Sequence, residues 1–151
     1  MRVRIKKILI LAMVLVLLSG CVRKILEGEG RTYQGSSTHN FSKSLPPSKD
    51  RVIVISSQGP QLESAYYEVL GNVESEVVRI KDSERGCNYA ISLIGSEAEE
   101  HGADALIHVK CGIGMKTAGA TGIAIIFKDR YESFKRLDEI GATYRRISVF
   151  W

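Results

Sequence analysis

The stretch between Cys87 and Cys111 constrains this chain most, because it reads as a helix, a tight turn and a strand that must pack together. Asn88 suits a helix N-cap, and Gly102 suits the position just past a helix end. Between them Ala90, Ile91, Ile94 and Ala98 recur at helical spacing, with Glu97, Glu99 and Glu100 on a polar face. After Gly102-Ala103-Asp104 the chain alternates as a strand. Ala105, Ile107, Val109 and Cys111 are expected to face the helix, and Leu106, His108 and Lys110 to face away. A helix from Asn88 to His101 would run about 21 Å, and a strand from Asp104 to Cys111 would return over about 23 Å. The match brings Cys111 back beside Cys87. A Cys87–Cys111 disulfide is the expected outcome, with two unpaired buried thiols as the alternative.

The N-terminus gives an address. Arg2, Arg4, Lys6 and Lys7 precede an apolar run from Ile8 to Leu18, too short to span a bilayer comfortably and suited to the core of a signal peptide. Leu18-Ser19-Gly20-Cys21 follows and resembles the lipobox of bacterial lipoproteins, which implies cleavage before Cys21 and its acylation. An uncleaved anchor is the competing reading. Val22 rather than Asp after the cysteine favours, under enteric-type sorting, the outer membrane facing the periplasm.

This address changes the charge argument. The chain carries 21 basic and 17 acidic residues, a net charge of +4. Without the four basic residues of the signal the counts are equal, so the basic balance offers no case for nucleic acid. The cysteine count also resolves: with Cys21 lipidated, Cys87 and Cys111 remain as a pair in an oxidising compartment.

Four segments follow: a signal peptide at 1–20, the lipidated Cys21 with a flexible tether over 21–49, an α+β domain at 50–128 and a C-terminal helix–strand extension at 129–151. The tether is rich in Gly, Ser, Thr and Lys and ends in Pro46-Pro47, with a loop packed on the domain over part of its length as the alternative. Arg51–Ile55 reads as a buried strand. Tyr66–Val73 reads as a second one with Tyr67, Val69, Gly71 and Val73 on one face, and Lys81–Gly86 as a charged connection. Gly112, Gly114, Gly119 and Gly122 match no nucleotide-binding fingerprint and read as a hairpin, with Gly122–Phe127 as a central partner strand. Asp129 and Glu132 have capping-box spacing, Gly141 closes a second helix, and Ile147, Val149 and Trp151 lie on one side of a last strand that pairs here or on a partner chain. The expected fold is a small, mainly antiparallel sheet of about four strands with one helix on a face, in ββαββ order, plus that extension.

Leu70-Gly71-Asn72-Val73, the helix, Gly102-Ala103-Asp104-Ala105-Leu106-Ile107 and the glycine-led last strand together resemble the YbjQ-like family. That family carries a heavy-metal-binding label and shares its fold with RcsF-like outer-membrane lipoproteins, which sense envelope stress. The resemblance covers roughly Val52 to Lys128. It implies a lipid-anchored, disulfide-braced module with Cys111 in a bridging position. The chain departs from the RcsF-like pattern in having two domain cysteines rather than four and in its tail from Asp129.

No set of residues reads as catalytic. His39 falls in the tether and His101 at a helix end, where the dipole favours a cation. His108 and Cys111, three apart on a strand, point to opposite faces and make a poor ligand pair. Glu97, Glu99 and Glu100 read as a solvated face, and Tyr66, Tyr67 and Trp151 as core or edge cover. No metal ligand and no cofactor is assigned, and the oligomeric state is left open. The expected function is a non-enzymatic interaction or stress-sensing lipoprotein, held to the membrane by acyl chains and meeting a periplasmic or outer-membrane protein. A homo-oligomeric small-ligand or metal binder is the alternative.

Overall fold

The computed structural model describes residues 24–28, 31–78 and 83–147. The signal segment, Cys21, Lys81, Asp82, Val149 and Trp151 lie outside them. In chain order the elements are β1 (Lys24–Gly28), β2 (Arg31–Phe41), β3 (Ile53–Ile55), β4 (Tyr67–Val78), α1 (Ser83–Glu100), β5 (Ala105–Ile113), β6 (Thr117–Phe127), α2 (Arg130–Glu139) and β7 (Tyr144–Arg146). The seven strands among the described residues form one sheet, ordered β1-β2-β4-β6-β5-β3-β7. Neighbours are antiparallel except β3 and β5. The fold is α+β, and the expected ββαββ order is β3-β4-α1-β5-β6.

β6 is central because both of its faces are occupied. On one, Ala118, Ala120, Gly122 and Ala124 are so small that α1 lies close above them; a Cβ added at Gly122 would sit 3.4 Å from Ile94. On the other, Ile125 and Phe127 join Ile53, Ile55, Leu62, Ala105, Ile107 and Leu137 in a second core, capped by α2. The glycine-rich stretch is thus packing and hairpin chemistry, its turn closed by the Gly114 N–H donating to Thr117 O at 2.8 Å.

The C-terminal extension belongs to this body rather than standing apart. Asp129 caps α2 by accepting from the Glu132 N–H at 3.0 Å, Leu137 is fully buried, and β7 pairs with β3. Asp104 ties these parts together. Its carboxylate accepts from the Phe127 N–H and from Arg130 Nη1, each at 2.9 Å, while its backbone bonds to Ile53 and Ile125. Asp104→Ala should cost about 2 kcal/mol, since a part-buried N–H and a guanidinium both lose a charged acceptor. Urea denaturation measures this directly; an unchanged midpoint would show that the network carries no stability.

Three expectations need correction. The tether is not a leash over much of its length: β1 and β2 form a hairpin, and Gln34–Phe41 pairs with Gly71–Val78 of β4. The following loop is also fastened, the Ser42 N–H donating to Leu70 O at 2.8 Å and the Ser48 N–H to Glu99 O at 2.9 Å. Backbone pairing can hold a polar segment that has few apolar residues to bury. Second, α1 is already formed at Ser83, so Asn88 lies inside it rather than at its cap; Glu84 in the first turn suits the helix dipole. Its end does follow expectation. Gly102 has φ +80°, and the Ala103 N–H donates to Ala98 O at 3.0 Å.

The third correction concerns two bulges. In β4 the register shifts between Val69 and Gly71, so Leu70 turns into the core and Val69 is 54% exposed. In β5 it shifts between Ile107 and Lys110, around His108 at φ +52°. Leu106 therefore packs under α1 while Ala105 and Ile107 join the second core, the reverse of the expected facing. Beyond the bulge Val109 and Cys111 face α1 as expected.

Candidate functional site

Cys87 lies in the second turn of α1 and Cys111 near the far end of β5. They form a disulfide with Cα atoms 5.9 Å apart. The bulge at His108 makes this possible, because it puts Cys111 on the helix side while His108 stays exposed. His108 lies instead on the sheet face opposite α1. There it lines an open groove of about 540 Å³ with Thr38, Asn72, Glu74, Lys110 and Thr121. His108 and Cys111 are thus kept apart. Tyr66 and Tyr67 are half-buried and pack against the second core.

A different set converges where α1 passes over β2. Along the helix Tyr89, Leu93, Glu97 and His101 follow at four-residue spacing, which stacks them on one face. Beneath them β2 presents Gly35, Ser37, His39 and Phe41, alternate residues of one strand face. Size grades along the strand. At Gly35 an added Cβ would sit 2.5 Å from Leu93 Cδ1, so helix and strand touch there. Burial against this end pushes the Tyr89 phenol up. Further along, larger polar side chains fill the gap.

There Glu97 is held at both carboxylate oxygens. Ser37 Oγ donates to Oε2 at 2.7 Å, and His39 Nδ1 lies 2.7 Å from Oε1. The His39 ring stacks on Phe41 at 4.5 Å and meets the His101 ring edge-on at 4.0 Å. His101 Nδ1 is buried and has no hydrogen-bond partner among the described residues. One donor atom each from His39, Glu97 and His101 lies within 4.8 Å of the other two. In the sequence His39 reads as part of a tether, Glu97 as part of a solvated face and His101 as a residue at a helix end. The available signal was the i, i+4 pair Glu97 and His101, together with the alternation Gly35-x-Ser37-x-His39-x-Phe41.

No family profile and no curated protein sequence matches the chain. The solved structure of a Francisella virulence factor, FvfA, in an orthorhombic crystal form is similar at 19% identity, over 64% of this chain and 99% of that one, with a TM-score of 0.40. A likeness so distant carries no functional argument. Among the described residues no helix is long and apolar enough to cross a membrane.

Proposed function

We propose that this chain is an envelope lipoprotein that works by recognition rather than catalysis. It would be anchored through acylated Cys21 and meet a periplasmic or outer-membrane protein. The observation that carries this reading is the Cys87–Cys111 bridge. Cystines persist in oxidising compartments, and the sequence before Cys21 resembles the signal that leads to one. The bridge and the lipobox account for all three cysteines together.

The position of β1 sharpens the mechanism. Lys24 begins β1 only three residues after Cys21, a reach of about 10 Å at full extension. A module held this way works close against the bilayer instead of ranging on a long leash. The test is acylation. Cys21→Ala should accumulate as an unprocessed precursor that takes up no labelled palmitate. Normal maturation with label in that variant would overturn the reading.

A further inference from the structure

We propose that His39, Glu97 and His101 form a binding site for a divalent transition-metal ion, with zinc the ion that suits them best. The site is independent of the lipoprotein reading and does not require it. Two imidazoles and a carboxylate are a borderline donor set, suited to zinc and its neighbours rather than to magnesium or calcium, which prefer oxygen alone. Donors at zinc bond lengths in a tetrahedral centre stand about 3.3 Å apart. The three here already lie within 4.8 Å of one another, so small side-chain rotations close the site.

The surroundings are those of a prepared centre. Ser37 Oγ donates to Glu97 Oε2 and leaves Oε1 turned toward His39, the kind of support that orients metal-binding carboxylates. Phe41 lies flat on His39 and edge-on to His101, walling one side. Coordination through His101 Nδ1 would supply the partner that buried atom lacks. An ordinary surface hydrogen bond explains the contact between His39 and Glu97, whose side chains are 33% and 19% exposed. It does not explain why a second imidazole is packed against that pair with a ring nitrogen unsatisfied. Three protein donors leave a fourth position for water or a partner's side chain. An ion here would clamp β2 to the C-terminal turn of α1.

The test uses the full-length chain in detergent micelles, stripped with a chelator and titrated with Zn²⁺ alone. One ion should bind per chain. His39→Gln and His101→Gln should each weaken binding more than tenfold, and Ser37→Ala about tenfold. His108→Gln, on the opposite sheet face, should leave it unchanged. Because a substitution could disturb β2, histidine ring NMR of the unaltered protein gives a second readout. Zn²⁺ should shift the His39 and His101 signals and spare His108. Failure of the folded wild type to bind, equal affinity in the His39 variant, or shifts confined to His108 would each overturn the site.

Discussion

Replacing Cys87 and Cys111 together with alanine is expected to lower the thermal midpoint by about 10 °C. The bridge joins residues 24 apart in sequence, and closing a loop of that size in the unfolded chain is worth about 3 kcal/mol on the chain-entropy model. Spread over the unfolding entropy of a domain of this size, that becomes the stated shift in midpoint. The loss matters because small domains keep a margin of only about 5–15 kcal/mol. The bridge also joins α1 to the end of β5, beyond the bulge where register is otherwise weakest. Calorimetry of the oxidised protein, its reduced form and the double variant checks this. Coincident midpoints would mean that the bridge adds nothing. Alkylation without reductant gives an independent check, since neither cysteine should be labelled.

Much of this fold was legible because its strongest signals are local. The helix end at Gly102, the Asp129 cap, the β5–β6 hairpin and the buried strand at β3 each rest on a few residues whose backbone preferences agree with the final structure. The disulfide was legible for a different reason. Two matched lengths bring Cys111 back beside Cys87, and a helix start five residues earlier than expected leaves the distance from Cys87 to Gly102 unchanged; the side that Cys111 faces depends on the His108 bulge, which the sequence does not show.

What stayed hidden was non-local. A bulge has no composition of its own: His108 adopts a left-handed conformation because Ile107 and Val109 each find a core on opposite sides of the sheet. β2 has almost no aliphatic residues, so its strand character comes from the free edge that β4 offers. The candidate site inherits that blindness. His39 is 58 residues from Glu97 in sequence, and only the pairing of β2 with β4 brings it under the helix. Asp104 is similar: it reads as a turn residue, and its two side-chain partners lie 23 and 26 residues away.

The docking of β2 makes Gly71→Ala the most damaging small substitution expected in the sheet. Gly71 follows the β4 bulge at φ +151°, a conformation closed to residues with a side chain. A Cβ there would also sit 1.9 Å from Asn40 O and 2.9 Å from Asn40 C, backbone atoms of the adjoining strand. Neither strain nor clash can be relieved by turning a side chain, so β2 must move. The expected cost is about 3 kcal/mol or more. Gly112→Ala in β5 is the control, because its Cβ would meet nothing within 4 Å. Denaturant melts should separate the two variants. Trypsin adds a spatial readout, since release of β2 should open the chain at Lys43, which in the native fold pairs with Glu68 at 2.9 Å. Freed β2 would also carry His39 away from Glu97 and His101, so Gly71→Ala should weaken zinc binding without altering any donor. A variant as stable and protease-resistant as the parent would mean that β2 is not docked. It would restore the leash and remove the ground for the metal site at the same time.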